Sequence, residues 1–378
     1  MTKFNWKSKT AKLAILLLVL TFIIPQAGCQ SNGENYQGIG KTGFYLDTVC
    51  AVTIYGVAEE SPLGEELSQA KEEDQQKRIY QLITDAFKLC SQYENLLSKT
   101  IPTSEIAQIN DAAGQGVTVS SETLEVVKKG MEYGKLSDGR FDITIGTASQ
   151  LWDFHDVDEN HEGEGEIPSE DALAEAVRHV DYTKVQIDGT TVKLQDPEME
   201  IDLGGIAKGY ISDKVAEYLE DQGVVSAVVD LGGNIVTIGG KTTKLVVSEE
   251  DGAHCQPFNI GIKDPQSTTG QLLMVFPCKD KAVVTSGTYE RFLIKEGTKY
   301  HHILDPKTGW PVDTDILSVT IIVEKGHGVD ADGLSTTCLA MGVEEATAFI
   351  QGLKEAMEID AVFVDVDGNV TATDENIL

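Results

Sequence analysis

The sequence predicts an α+β fold, on the basis of three observations along its 378 residues. A strand-like segment at 44–55 precedes a long helix, in which apolar residues recur at helical spacing between Ile79 and Leu97. The segment 224–240 has the pattern of a strand, a Gly-Gly-Asn turn and a second strand. The segment 360–373 has the pattern of a closing hairpin. The length allows one large domain or two intimate subdomains.

The first 28 residues are predicted to be a lipoprotein signal peptide. Four lysines precede a 12-residue apolar stretch, which is shorter than a membrane-spanning helix requires. Ala27 and Gly28 before Cys29 resemble a bacterial lipobox, although Gln26 stands where a leucine is usual. We therefore expect cleavage before Cys29 and a lipid on its sulfur. A tether at 29–42 would then hold the protein at the outer face of the bacterial cytoplasmic membrane.

The folded domain is predicted to cover the remaining residues, 43–378. Within it, the segment 155–171 contains eight acidic residues and few apolar ones. This composition favours an acidic surface loop, and a cation-binding loop is the alternative.

Charge and cysteine content exclude several classes of protein. Lys plus Arg total 30 against 61 Asp plus Glu, and the formal charge of -31 makes nucleic acid a poor partner. The five cysteines after Cys29 show no C-x-x-C spacing. We therefore expect buried thiols rather than a disulfide framework or a zinc site.

Two similar segments, IDLGG at 201–205 and VDLGG at 229–233, suggest a backbone that approaches a ligand closely. The first is predicted to run from a strand ending at Asp202 into a helix with Lys208 in its first turns. Free N–H groups at a helix N-terminus bind anions, so a phosphate-binding turn and a plain strand-to-helix turn both fit the pattern. The second segment, with Asn234, is predicted to be a strand turn that lines the same cleft.

Oxygen-bearing side chains recur near the C-terminus. Asp332 and Thr336 are four residues apart on a predicted helix, so their oxygens face the same way. Carboxylate and hydroxyl oxygens suit Mg²⁺. The alternative for Asp332 is a helix N-cap.

Eight motifs, in order, carry a resemblance to a known family. They are FYLDT, SEIAQIN, SDGRFDITIG, IDLGGIAKGY, VDLGGN, TSGTYERF, HHILDPKTGWPV and ADGLSTT. With these motifs the chain resembles the FAD:protein FMN transferases of the ApbE family, from about Phe44 to the C-terminus. The resemblance implies a T-fold core and a Mg²⁺-dependent reaction that moves FMN from FAD to a threonine hydroxyl through a phosphoester bond and releases AMP. It also implies that acceptor flavoprotein subunits of membrane redox complexes are the partners.

The resemblance also assigns residues, each at the position where this sequence matches the family's motif. The expected Mg²⁺ ligands are Asp332, Thr336 and the backbone carbonyl of Gly205, and His302 is the expected acid or base, or else a hydrogen-bonding contact to AMP or flavin. Thr100 stands where many members have a tyrosine that can stack on flavin. The expected flavin contacts are Leu46, Arg140, Phe141, Asp142, Asp202, Lys208 and Ile303.

Two other functions are compatible with these motifs. The same metal site could hydrolyse FAD to FMN and AMP with water as the acceptor. The protein could also be a flavin-binding lipoprotein without catalysis, although such a protein needs no metal pair.

Overall fold

The core is a nine-stranded sheet, seen in a computed structural model that describes residues 36–154, 166–267 and 269–377. The strands, numbered in chain order, are β1 Ile39–Tyr45, β2 Thr48–Ala58, β3 Val117–Thr118, β4 Val185–Asp188, β5 Thr191–Leu194, β6 Val224–Leu231, β7 Asn234–Ile238, β8 Val246–Val247, β9 Phe258–Lys263, β10 Leu272–Cys278, β11 Lys281–Gly287, β12 Phe292–Lys295, β13 Thr298–His301, β14 Ile316–Glu324, β15 Ile359–Asp365 and β16 Val370–Ala372.

Its strand order is β1-β2-β6-β7-β11-β14-β15-β16, with every neighbouring pair antiparallel and β8 added parallel to β2. Smaller sheets are formed by β9 with β10, by β12 with β13, and by β3, β5 and β4. Strands β14 and β15 are buried along almost their whole length, so both faces of the central sheet are covered at these two strands.

Ten α-helices accompany the sheet in the described part of the chain. They are α1 Pro62–Gln69, α2 Glu72–Leu97, α3 Glu105–Asp111, α4 Ser121–Leu136, α5 Gly146–Ser149, α6 Glu170–Ala176, α7 Ala207–Asp221, α8 Glu249–Ala253, α9 Gly328–Leu339 and α10 Val343–Leu353. Helix α7 packs on β6, β7 and α2, whereas α9 packs on α7, β11 and β14. These packing contacts place α7 and α9 side by side over the sheet.

The α+β prediction is confirmed, and Gln37–Leu378 form one compact unit. The predicted long helix is α2, whose apolar stripe is buried. The predicted strand-turn-strand patterns are the hairpins β6–β7 and β15–β16. None of the helices that the structure describes has the length and apolar character needed to cross a bilayer.

The N-terminal strand prediction is wrong in its details. The segment 44–55 contains a two-residue hairpin turn at Leu46 and Asp47, whose φ angles are 55° and 54°. Such a turn favours the pair Asn-Gly. Because the sequence has Leu-Asp at these two positions, the hairpin was not predicted. Strand β1 begins at Ile39, inside the predicted tether that ends at residue 42. The predicted signal peptide and Cys29 lie outside the described residues.

The strand predicted to end at Asp202 is also absent. Only an isolated bridge, between Glu200 and Ile145, forms there. The N–H and carbonyl of the next residue, Ile201, bond instead to the side-chain amide of Asn110, at 2.8 and 2.9 Å. A side chain from the SEIAQIN motif therefore takes the place of a neighbouring strand.

Two further predictions have partial outcomes. The acidic segment was expected to extend to residue 171, but Ser169 caps α6, and Glu170 and Asp171 form the first turn of that helix. Residues 155–165 of this segment lie outside the described residues. The five cysteines are free thiols and all but Cys255 are buried, as predicted.

Candidate functional site

The site is built where helices α7 and α9 touch. A Cβ atom added at Gly209 would lie 2.1 Å from the Gly328 carbonyl oxygen and 2.7 Å from Asp332 Cβ. Only glycine allows this approach, because a side chain at either position would push the helices apart. The contact brings the glycine turn before α7 next to the second and third turns of α9.

Three predicted metal-binding residues meet at this contact. Thr336 Oγ1 lies 3.3 Å from the Gly205 carbonyl oxygen. Asp332 is only 1% exposed, and its Oδ2 accepts a hydrogen bond from the Gly209 N–H at 2.9 Å. Its other oxygen, Oδ1, has Lys208 Nζ at 3.8 Å, beyond hydrogen-bonding distance. The carboxylate therefore keeps an oxygen that can bind a cation.

Asp332 is not the N-cap of its own helix. Helix α9 begins at Gly328, so Asp332 lies in its second turn. The carboxylate bonds instead to the first turn of the neighbouring helix α7. That bond occupies one N–H group that the sequence predicted to be free for an anion.

The donor set fits a hard cation. One carboxylate, one hydroxyl and one carbonyl supply oxygen only, which suits Mg²⁺ and not a metal that prefers sulfur or imidazole. Among the described residues, no group of three or more His, Cys, Asp or Glu side chains is arranged to hold a metal. A site with a single carboxylate needs further oxygens from the ligand, as Mg²⁺ sites on phosphates usually have.

Lys208 is the second residue of α7, as predicted, and its ammonium lies beside the buried Asp332. Its charge also acts on the predicted acid or base, because it helps to lower the pKa of His302. The positive charge of Lys208 therefore acts on both the predicted metal ligand Asp332 and the predicted acid or base His302.

His302 follows strand β13 and is held by one backbone carbonyl. The Arg291 oxygen accepts hydrogen bonds from the His302 N–H at 3.1 Å and from its Nδ1 at 3.0 Å. With Nδ1 donating, the neutral ring keeps a lone pair on Nε2. Burial lowers the pKa of His302 to about 3, and the charges of Arg291 and Lys208 act in the same direction. The ring is therefore neutral at physiological pH with Nε2 as its acceptor, and a pKa this low makes it a weak base unless a neighbouring anion raises the pKa.

The adjacent His301 has a different environment. It is 9% exposed, and its Nε2 donates to the Val312 carbonyl at 3.1 Å. Burial lowers the pKa of His301 to about 4. Its bond joins strand β13 to the segment after it, so of the two histidines we assign His301 the structural role.

Asp202 carries a charge network that the sequence did not reveal. Its Oδ2 lies 2.8 Å from Lys99 Nζ and accepts a hydrogen bond from Ser149 at 2.7 Å, while Oδ1 accepts the Gly204 N–H at 2.9 Å. Burial alone would raise the pKa of Asp202, but Lys99 and these bonds hold it below its usual value. An ionised carboxylate thus fixes the glycine turn.

The predicted flavin contacts in GRFD have internal partners. Both oxygens of Asp142 accept hydrogen bonds, Oδ1 from the Thr144 N–H and hydroxyl and Oδ2 from the Tyr182 N–H. Arg140 pairs with Glu345 at 2.8 Å. Phe141 is buried, and a Cβ at Gly205 would lie 3.2 Å from its ring. Of these three residues, Phe141 is the one that lies next to Gly205, a predicted metal ligand.

Leu46 and Ile303 lie on segments joined to the histidine. Leu46 forms the β1–β2 turn with Asp47, whose carbonyl accepts a bond from Arg291 Nη2 at 3.4 Å. Ile303 follows His302, and its carbonyl accepts the Val312 N–H at 2.9 Å. A flavin contact at either residue stays a prediction, as does the cleft-lining role of the second DLGG turn.

Glu290 is a site residue that the sequence analysis missed, although it stands inside TSGTYERF. Its side chain is exposed to solvent, while nearby protein atoms partly desolvate the carboxyl and raise its pKa. Repulsion from Asp332 adds to this effect and attraction to Lys208 opposes it. A single glutamate whose pKa is raised by its tertiary surroundings gives no distinctive sequence signal.

Known proteins match this chain over the region that contains these residues. The ApbE family model matches residues 46–370. A Treponema pallidum protein named FAD:protein FMN transferase is 31% identical over 94% of this chain and 92% of its own length. A Klebsiella pneumoniae protein of the same name is 35% identical, over 75% of this chain and 82% of its own length.

Solved structures agree with the fold. The ApbE protein from Thermotoga maritima superposes with a TM-score of 0.72 at 27% identity, covering 89% of this chain and 97% of that one. The flavin transferase ApbE from Vibrio cholerae gives a TM-score of 0.70 at 24% identity, covering 90% of this chain and 99% of that one.

Proposed function

This chain is a member of the ApbE family, and from that membership we propose that it moves the FMN part of FAD to a threonine hydroxyl of an acceptor flavoprotein. The new bond is a phosphoester, and AMP is released. The observation that carries the proposal is the convergence of Asp332, Thr336 and the Gly205 carbonyl beside the α7 N-terminus.

We propose that these three groups hold Mg²⁺. When bound, the ion neutralises charge on the diphosphate that is attacked. The buried Asp332 supplies the negative charge of the site, and Thr336 and Gly205 supply neutral oxygens at its edge. Lys208, whose ammonium lies 3.8 Å from Asp332 Oδ1, would offer its charge to the phosphate oxygens of FAD.

His302 is proposed to accept the proton of the acceptor threonine. The threonine oxygen attacks the phosphorus of the FMN phosphate, the bond from that phosphorus to the bridging oxygen breaks, and AMP leaves with the bridging oxygen. The threonine proton passes to His302 Nε2, which is unprotonated because Nδ1 donates to the Arg291 carbonyl. Asp202, ionised by Lys99, keeps the glycine turn in place during this step.

We further propose that the protein works at the outer face of the cytoplasmic membrane, anchored by a lipid on Cys29. The support is the basic and apolar N-terminal sequence and the small residues before that cysteine. Acceptor flavoprotein subunits of membrane redox complexes would then lie at the same membrane surface.

The test is to incubate the protein with FAD, MgCl₂ and an acceptor flavoprotein domain, and to measure the intact mass of the acceptor together with free FMN and AMP. Transfer predicts an acceptor that carries covalent FMN, with AMP released in equal amount. Free FMN and AMP at the same rate with or without the acceptor, and an unmodified threonine, would instead support FAD hydrolysis.

A further inference from the structure

Helices α7 and α9 cap each other through two carboxylates. Asp332 on α9 accepts the Gly209 N–H of α7 at 2.9 Å. Asp213 on α7 accepts two N–H groups of α9, Gly328 N to Oδ1 at 2.9 Å and Val329 N to Oδ2 at 3.0 Å. Each helix thus satisfies N-terminal donors of the other.

Asp213 uses both of its oxygens in this arrangement and therefore fixes two adjacent backbone groups. The contact is also close: a Cβ at Gly328 would lie 2.7 Å from Asp213 Oδ1 and 2.9 Å from the Gly209 carbonyl oxygen. A negative charge at the N-terminus of α9 is also favoured by the helix dipole. These contacts therefore fix the start of α9 relative to α7.

The metal-ligand group depends on that position. Gly205 belongs to the turn before α7, whereas Asp332 and Thr336 belong to α9, so their spacing is the spacing of the two helices. A helix is stiff over one turn, and a displacement at Gly328 is passed to Asp332. A shift of about 1 Å is enough to impair a site of this kind.

We propose that Asp213 is a positioning residue that sets the distance between the Gly205 carbonyl and the Asp332 and Thr336 oxygens. This inference rests on the proposed metal-dependent function. Asp213 is proposed to touch neither the ion nor the substrate and to act through the backbone of Gly328 and Val329.

Asp330, the other buried carboxylate of α9, contacts a different helix. Asp330 accepts hydrogen bonds from Tyr133 at 2.6 Å and Lys129 at 2.9 Å, both on α4, and pairs with His327 at 2.8 Å. These bonds tie α9 to α4, not to α7. The spacing between the glycine turn and α9 is therefore assigned to Asp213.

The test is Asp213→Asn, with Mn²⁺ as the probe because it takes the same oxygen ligands as Mg²⁺. An amide has one acceptor oxygen, so it can satisfy only one of the two N–H groups and turns its NH₂ toward the other. Binding is measured on the purified protein from the EPR signal of free Mn²⁺. We expect affinity to fall about tenfold, and excess Mg²⁺ to restore FMN transfer.

Asp365→Asn is the matched control. Asp365 is also half-buried and also accepts two backbone N–H groups, Asp367 at 2.9 Å and Asn369 at 2.8 Å, but both at Oδ1 and in the β15–β16 hairpin. It therefore controls for the loss of a half-buried carboxylate charge away from α7 and α9. It should leave Mn²⁺ affinity unchanged whatever it does to the melting temperature. Gly328→Ala disturbs the same contact from α9, because its added Cβ would crowd Asp213 Oδ1. It should weaken Mn²⁺ binding even where Asp213→Asn does not fold.

Parent-like Mn²⁺ affinity in folded Asp213→Asn or in Gly328→Ala would overturn the positioning role, even with the metal site itself intact. A parent that binds no Mn²⁺ and transfers FMN in chelator-treated buffer would instead overturn the metal proposal, and this inference with it.

Discussion

At His302, one backbone carbonyl determines the chemistry of the ring. The Arg291 oxygen accepts both the main-chain N–H and Nδ1–H of His302, so the lone pair is on Nε2. The sequence predicted the histidine but not its tautomer, because Arg291 is eleven residues away and its carbonyl is positioned by tertiary structure. The same limit applies to Lys99 and Ser149, whose bonds to Asp202 join distant segments.

His302→Ala should lower the rate of FMN transfer by about a hundredfold or more, which is the usual effect of losing a general base. FAD affinity should change little, because the ring is proposed to accept a proton and not to hold the flavin. The rate is measured at saturating FAD beside a binding titration. The control is His254→Ala, at an exposed position. Weaker FAD binding with a near-normal saturated rate would show that His302 is only a ligand contact.

The pKa of His302 predicts a pH dependence of stability. Burial lowers the pKa to about 3 from an ordinary 6.5, so the unfolded chain binds a proton more readily than the folded protein. The stability from the neutral ring is present above pH 6.5 and is lost as the pH falls toward 3. Between pH 7 and pH 5 the loss is about 1–2 kcal/mol. Urea unfolding at both values should show a smaller loss for His302→Asn than for the parent; equal losses would contradict this assignment.

Among the elements, the contact between α7 and α9 joins the glycine turn to the residues proposed to bind the metal. The sequence predicted both helices and the Asp332–Thr336 spacing. It could not predict that Asp332 caps α7, since its partner Gly209 is 123 residues away. The hairpin at Leu46 and Asp47 was missed for a local reason, because leucine is not typical of positive φ and only Asp47 tolerates it readily.

Gly209→Ala should destabilise the protein by about 3 kcal/mol, because its Cβ would lie 2.1 Å from the Gly328 carbonyl and must separate the two helices. The free energy of unfolding is measured with urea. Gly352→Ala is the matched control: it is also a helical glycine, but an added Cβ meets nothing within 4 Å. It should be neutral or stabilise by about 0.5–1 kcal/mol. Equal effects of the two substitutions would exclude a close helix contact.

For the molecule as a whole, the fold class and most elements follow from local patterns of apolar residues and glycines. The order of strands does not, because β11 lies between β7 and β14 through pairings that no short segment specifies. Composition gives a surface of strong negative charge, with 61 acidic residues against 30 basic ones. This charge favours solubility and disfavours polyanionic partners.

Cys29→Ser should move the protein out of the membrane fraction, or leave its signal peptide uncleaved, because one sulfur is proposed to carry the lipid. The measurement is the distribution of the full-length product between membrane and soluble fractions, with its N-terminal mass. Cys255→Ser, at a free and half-buried thiol, is the control. A variant that is processed and partitions as the parent does would show that Gln26 marks a different kind of signal.

Asp332 is proposed to belong to a metal site on which FMN transfer depends. The most direct measurement is the intact mass of an acceptor flavoprotein after incubation with FAD and either the parent or Asp332→Ala, with MgCl₂ or after treatment with chelator. Covalent FMN is expected only with the parent and MgCl₂, because an unneutralised diphosphate repels the attacking threonine oxygen. Full modification of the acceptor by Asp332→Ala in chelator-treated buffer would contradict this proposal.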